Sequence, residues 1–325
     1  MITHTPAVTV VVPIYNVEQY LERCLRSLLG QTFADVEYIF VDDCSPDGSM
    51  ALLEKVLAEY PSRQAQVKVV RHPVNRGLPS ARNSGLALAT GQYILHCDSD
   101  DWTETEMIEK MYRKAVEEVA DIVWCDYFRE ISGRAVRRTE DTGNSPSDAI
   151  RRMFSGRAGG YVWNKLVKRE LYERHSIGFP DGVNMIEDLT TTSKLCYYAR
   201  SIVHLPEALY HYNCANPEAL TSAAGLERTR KRLAEITANV RNMTDFFRQK
   251  GALPEFEKEM NYFKLYMKGE LLSQKETLRE WATTFPESHG EILSHPQLGV
   301  QSKIYWWLLA HRCYWAYYLK AALKH

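Results

Sequence analysis

From Val8 to Tyr127 the hydrophobic positions alternate between two periods. Val8-Thr9-Val10-Val11-Val12-Pro13 is a short apolar, β-branched run, the pattern of a strand buried on both faces. Asn16, with Gln19 three residues on, opens a helix whose apolar positions Val17, Tyr20, Leu21, Cys24, Leu25, Leu28 and Leu29 keep helical spacing. The alternation then repeats. A strand is predicted over 36–41, a helix over 49–60 with Leu52, Leu53, Val56, Leu57 and Tyr60 inward, a strand over 67–71, and a helix over 79–89. Gln92 to Cys97 reads as a buried strand, Thr103 with Glu106 as a capping box opening a helix to Ala120, and 121–127 as another strand. Strand–helix alternation with short connections predicts an α/β fold built on a mainly parallel, doubly wound sheet.

Beyond Tyr127 the pattern loosens. Residues 130–146 are polar and charged, with Arg134, Arg137, Arg138, Glu140 and Asp141, and read as an excursion or mobile loop. A mixed stretch follows, with Trp163 and Lys165, then Phe179-Pro180-Asp181-Gly182, then Glu187-Asp188 opening a helix. From Leu226 the chain reads as helix almost throughout, in two long segments, 226–250 and 254–275, separated by Gly251.

A length of 325 residues suits one large domain with an appendage, or two modest domains. The net charge of -1 offers no general basic surface for nucleic acid. The seven cysteines, at 24, 44, 97, 125, 196, 214 and 313, form no C-x-x-C pair, which predicts reduced, buried thiols in a cytoplasmic protein. Met1 to Pro6 lacks a basic region followed by an apolar core, so no secretory signal is expected. No uninterrupted apolar run approaches the ~18 residues of a spanning helix, so the protein is expected to be soluble or peripheral.

Candidate chemistry gathers at the ends of the predicted strands, where open α/β sheets place their ligands. The acidic segment Asp98-Ser99-Asp100-Asp101 follows the Gln92–Cys97 strand. Carboxylates this close repel one another unless a cation or a proton offsets their charge, and a divalent metal holding a diphosphate does so. A solvated turn that caps a helix is the other reading. Two further turns, Pro13-Ile14-Tyr15-Asn16 and Asp42-Asp43-Cys44-Ser45-Pro46-Asp47-Gly48-Ser49, end adjacent strands. A Tyr ring there can stack on a nucleobase and a carboxylate can accept from base N–H or ribose hydroxyls, while Asp42, Asp47 and Ser49 also suit plain turn and cap bonds. In Asn75-Arg76-Gly77-Leu78-Pro79-Ser80-Ala81-Arg82-Asn83, Gly77 permits close approach, and Arg76 and Arg82 either contact phosphates or stay solvated. Neither a dinucleotide fingerprint nor a Walker loop occurs.

In this order, Val11-Val12-Pro13-Ile14-Tyr15-Asn16, Val41-Asp42-Asp43 to Ser49, Asn75-Arg76-Gly77 with Ala81-Arg82-Asn83, and Asp98-Ser99-Asp100-Asp101 resemble the signature of the family 2 glycosyltransferases. Trp163-Asn164-Lys165-Leu166 and Glu187-Asp188 match two later patterns of the same family. The resemblance implies a GT-A fold over 1–222, with a nucleotide-sugar half to about 105 and an acceptor half over 106–222, and a helical C-terminal region over 223–325. It also implies transfer from a nucleoside-diphosphate sugar, with UDP expected, to a glycan or lipid-linked acceptor, with inversion and with Mg²⁺ or Mn²⁺ as cofactor. Pro13 and Tyr15 would frame the base, Asp43 would bind base or ribose, and Arg76 and Arg82 the phosphates. Asp100 would ligate the metal, with Asp98 on the ribose or the metal; Asp101 would orient the loop or favour the following helix. Asp188 would be the general base, with Trp163, Lys165 and Glu187 on the acceptor side, although Trp163 and Lys165 also suit packing against the sheet and Glu187-Asp188 a plain helix start.

One segment departs from the family. Where relatives carry Tyr-x-Tyr-Arg and a Ser-rich turn, this chain has Tyr210-His211-Tyr212-Asn213 and Ala219-Leu220-Thr221-Ser222. His211 either adds a metal or phosphate contact or is simply packed. A nucleotidyltransferase, or a sugar-nucleotide-binding protein that has lost catalysis, are the alternative functions. The tail mixes Trp306, Trp307, Tyr314, Trp315, Tyr317 and Tyr318 with Arg312, Lys320 and Lys324. That suits either a membrane-surface contact through 302–325, on the inner face of a cytoplasmic membrane, or a helix docked on its own catalytic domain or on another subunit of a homo-oligomer.

Overall fold

The computed structural model describes residues 4–216, 226–273 and 275–322. The expected boundary at 222/223, the Ala219–Ser222 turn and Lys324 lie outside them. Two compact units are present, Met1–Ala149 with Ala158–Ala223, and Ile150–Arg157 with Ala224–His325.

The first unit opens on β1 (Val8–Ile14), α1 (Glu18–Leu29), β2 (Val36–Asp42), α2 (Ser49–Ala58), β3 (Val67–Arg71), α3 (Leu78–Leu88) and β4 (Tyr93–His96), following the predicted alternation. β5 (Trp102–Thr103), α4 (Met107–Glu117), β6 (Ile122–Ile131), β7 (Arg134–Arg138), α5 (Pro146–Phe154, which belongs to the second unit from Ile150), β8 (Lys165–Lys168), α6 (Arg169–Arg174), α7 (Glu187–Tyr198) and β9 (Ile202–Asn213) come next. The sheet order is β3-β2-β1-β4-β8-β6-β9-β5, with β7 paired to β6. The β3-β2-β1-β4 half is parallel throughout. Every residue of β1 and β2 is buried, Thr9, Glu37 and Asp42 included, which is why both read as mainly apolar runs. In the other half β8 runs antiparallel between β4 and β6, and β9 is parallel to β6, so the sheet is mixed there.

Three expectations are corrected, the first two by partners distant in sequence. The capping box at Thr103 and Glu106 does not form, because Trp102 and Thr103 pair as a strand with His211 and Tyr210. α4 starts only at Met107, and Gln31 serves its first turn by accepting the Ile108 N–H at 3.0 Å. Asn16 does not cap α1 either: it has a left-handed φ of 53°, and Asp47 Oδ2 accepts the Glu18 N–H at 2.9 Å. Residues 130–138 are not a loop excursion, whereas 139–145 carry no regular structure. β6 and β7 form a hairpin whose two-residue connection, Ser132-Gly133, has φ of 50° and 75°, the positive pair that a type I′ turn requires.

The second unit contains α8 (Leu226–Gln249), α9 (Leu253–Lys268), α10 (Leu278–Thr283), α11 (Val300–Ala310) and α12 (Trp315–Ala322). The helix expected over 254–275 ends at Lys268 and continues as 3-10 turns. Leu265, Leu271, Leu278, Trp281, Ile292, Tyr305, Leu309 and Ala316 form its core. All seven cysteines are free thiols; Cys24, Cys97, Cys125 and Cys196 are buried, whereas Cys44 is exposed, against expectation. Among the described residues no helix is long and apolar enough to cross a membrane.

Candidate active site at the strand ends

Parallel pairing of Pro13 with Val41 and Ile14 with Asp42 brings the first two turns together. They are then stitched to each other. Asn16 N–H donates to Ser45 Oγ at 2.9 Å, and Gly48 N–H to Glu18 Oε2 at 2.9 Å. Burial opposes ionisation of Asp47, but hydrogen bonds from Ser49, Ser45 and the Glu18 N–H outweigh it and hold the group at about 2. Asp47 is thus an ionised cap, and Asp42 makes a turn bond to the Ser45 N–H. Pro13 is buried, whereas the Tyr15 ring is 46% exposed and accessible for stacking.

Asp43 is buried and faces its own chain. It contacts His72 Nδ1 at 2.6 Å and accepts the N–H groups of Arg76 and Gly77, each at 2.8 Å. It therefore fixes the third turn, leaving the Arg76 side chain at the surface. Gly77 is required there twice over. Its φ is +86°, and a Cβ would come within 2.8 Å of Asn184 Oδ1.

The acidic loop after β4 is anchored to β9. Asp101 is buried and accepts Tyr210 O–H and Asn213 N–H, both at 2.7 Å. Burial, and the charges of Asp100 and Asp98, push its carboxyl well above the usual range. The Tyr210 oxygen also accepts the Asp98 N–H at 3.1 Å, and Asn213 Nδ2 donates to the Asp100 carbonyl at 3.2 Å. Asn213 thus positions the loop. Asp100 accepts from Asn216 Nδ2 at 2.8 Å; burial and the neighbouring Asp98 charge raise its pKa.

Arg82, expected at the phosphates, lies instead between the two acidic segments. Its guanidinium is buried and donates to Asp98 Oδ1 and Glu187 Oε1, each at 2.7 Å. Burial opposes its charge, yet Asp98, Glu187 and Asp188 raise its pKa overall, so the cation is kept. Glu187 is buried and is pushed up to about 8 by burial and by the Asp188 charge. Asp188, half-buried, is raised by burial and accepts its neighbour's Leu189 N–H at 2.7 Å. Ile186, just before this pair, has φ of 57°, a strained backbone for a β-branched residue and one that clusters at functional sites.

Trp163 and Lys165, assigned to the acceptor side or to packing, are packed. Trp163 stacks on Tyr210 at 4.4 Å and Tyr161 at 4.7 Å between ring centroids and meets Tyr127 edge-on at 4.9 Å. Lys165 is buried over the Trp124 ring and donates to the carbonyls of Gly159 and Tyr161 and to Asn164 Oδ1; burial lowers it to about 8. His211 lies between the Trp102 and Phe128 rings, its nitrogens on Glu130 and Glu104. Sequence reading missed Tyr210 as an anchor, and His72, Asn216 and Gln31 altogether; no local pattern marks residues whose partners lie so far along the chain.

The Asp98–Asp101 loop suits a divalent cation completed by substrate. Among the described residues no group of three or more His, Cys, Asp or Glu forms a cage. Two carboxylates with mutual repulsion, plus diphosphate oxygens, match the way Mg²⁺ is usually held.

Comparison with known proteins gives a consistent picture. The family described as Glycosyl transferase family 2 matches residues 9–175. EpsH of Bacillus subtilis is 33% identical over 288 residues, covering 86% of this chain and 79% of EpsH. Glycosyltransferase GlyG of Streptococcus pneumoniae is 30% identical over 217 residues, 63% of this chain and 70% of GlyG. Among solved structures, residues 1–349 of S. aureus TarS in complex with UDP-GlcNAc have a TM-score of 0.68 at 21% identity, covering 95% of this chain and 89% of that one. A mannosyltransferase from Pyrobaculum calidifontis, in complex with GDP-Man and Mn²⁺, gives 0.56 at 19% identity over 98% of this chain and 87% of that one. With the strand-end turns, the GT-A type of sheet and a family match over half its length, this chain belongs to the family 2 glycosyltransferases.

Proposed function

We propose that this glycosyltransferase moves a sugar from a UDP-sugar to a hydroxyl of a glycan or lipid-linked acceptor in surface polysaccharide or glycan synthesis, inverting the anomeric carbon. The observation that carries the reading is the Arg82 bridge. It joins Asp98, on the donor side, to Glu187, beside the candidate base, through two 2.7 Å hydrogen bonds. The UDP-GlcNAc in the TarS complex supports uridine as the nucleoside, and the Mn²⁺ of the mannosyltransferase complex supports a metal.

In this reading Tyr15 stacks on the base, Pro13 backs it, and Asp43 holds the turn that carries Arg76 toward the phosphates. Asp100, with Asp98, would hold Mg²⁺ or Mn²⁺, which when bound neutralises charge on the departing diphosphate. Asp188 accepts the acceptor's hydroxyl proton, for which its raised pKa suits it. The acceptor oxygen's electron pair attacks the anomeric carbon, and the bond from that carbon to the diphosphate breaks with its electrons leaving on the diphosphate oxygen. A homo-oligomer is compatible with this chemistry, and a peripheral position on the cytoplasmic face of a membrane, through 302–325, would present the chain to a lipid-linked acceptor.

A panel of nucleotide sugars tests the reading, with and without Mn²⁺ or Mg²⁺, by calorimetry for binding and by product formation for transfer. The expected outcome is metal-dependent binding of one UDP-sugar, lost in Asp100→Ala. Unchanged metal-dependent binding in that variant would remove Asp100 from the metal. Binding without transfer to any acceptor glycan would favour the inactive binding protein.

A further inference from the structure

In the second unit, α11 and α12 turn apolar side chains both inward and outward. Inward, Tyr305, Leu309 and Ala316 join the core around Trp281, Leu265 and Ile292. Outward, α11 presents Val300, Ile304, Trp307 and His311, spaced four, three and four residues apart, so they share one stripe. Ile304 is 55% and Trp307 42% exposed. α12 repeats the pattern with Trp315, Tyr318 and Leu319, at 58%, 61% and 53%. Core packing accounts for the inner face of each helix. It does not account for Trp and Leu on the outer one.

Charge selects the occupant. From Ile292 to His325 the sequence has no Asp or Glu, while Lys303, Arg312, Lys320 and Lys324 punctuate the aromatics. Lys303 stands one helical turn before Trp307, and exposed Arg312 occupies the bend between the helices with φ of 62°. A two-fold pairing with a second copy would set these cations against themselves, with no acid in the segment to offset them. Trp and Tyr interleaved with Lys and Arg match the composition of helices lying at an anionic bilayer surface. From this we infer that the outward stripe of α11 and α12, with Lys303 and Arg312, is a docking surface for an anionic lipid bilayer. The inference sharpens the membrane side of the proposed function and does not depend on the donor chemistry.

Vesicle flotation of the full chain tests it, using phosphatidylcholine alone and phosphatidylcholine with about one-third phosphatidylglycerol. Binding is expected on the anionic vesicles, with a blue shift of tryptophan fluorescence, and much weaker binding on the neutral ones. Each cation at the surface contributes about fivefold, so Arg312→Glu is expected to weaken partitioning about thirtyfold. The triple variant I304S/W307S/W315S should abolish it while keeping the thermal midpoint, since all three side chains are exposed. Transfer to a soluble acceptor should be unchanged in both variants, which separates this inference from the catalytic reading. Equal flotation of wild type and the triple variant would overturn it. So would sedimentation showing a dimer that the triple variant disperses, which would assign the stripe to a second copy.

Discussion

In the 98–101 loop the acids are held largely by neutral donors, Tyr210, Asn213 and Asn216. At the start of α7 the partner of Glu187 is a guanidinium, that of Arg82, which also reaches back to Asp98. Neutral donors fix geometry without offsetting charge, and Arg82 offsets only part of the loop's, so repulsion between Asp98 and Asp100 remains. The α7 pair has a cation in Arg82, shared with Asp98, and burial raises its carboxyls as it raises those of Asp100 and Asp101. In the proposed reading the loop would take the metal and the α7 pair the acceptor's proton.

The contrast can be broken at its shared residue first. Arg82→Met strands Asp98 and Glu187 without their countercharge, and such losses of one partner in a buried pair cost about 3–5 kcal/mol. Urea denaturation is expected to show a loss of that size; a change within error would mean that the bridge does not form in solution. A smaller effect is expected on the loop side, where Tyr210→Phe removes one donor to buried Asp101, at about 1–3 kcal/mol. KM for the donor should rise more than kcat falls, because Tyr210 acts through the loop. A fall in kcat alone would argue against this positioning role.

The smallest effect sharpens the proton side. The Glu187 carboxyl rises in the folded protein from the ordinary 4.5 to about 8. A raised folded pKa means the folded state holds this proton more tightly than the unfolded chain. Its contribution to stability is full below pH 4.5, declines as pH rises, and is gone above about 8. Between those limits wild type should lose more stability than Glu187→Gln, followed as denaturation midpoints. Parallel curves for the two proteins would show that Glu187 titrates normally.

What could be read from the sequence follows the range of the interaction. β1, β2 and α1 are legible because burial on both faces, or on one, writes continuous or helical apolar patterns into adjacent residues. The caps of α1 and α4 were misassigned because Asp47 and Gln31, which serve them, lie in other turns. The β6–β7 hairpin was hidden because all of β7 is exposed and carries no apolar alternation, although Ser132-Gly133 held a turn signal. The acids of the site were visible as motifs. Their division of labour was not, because Arg82 and Glu187 are 105 residues apart and Tyr210 and Asp101 are 109.

The central claim, that the α7 pair handles the proton, is tested most directly by comparing Asp188→Asn with Glu187→Gln at saturating donor and metal. Removing a general base typically costs 10²–10⁴-fold, so kcat of Asp188→Asn should fall by about 10³-fold with donor affinity kept. Glu187→Gln should retain most of its turnover and show a displaced pH–rate profile. Near-wild-type turnover in Asp188→Asn, measured with the same acceptor, would contradict the account.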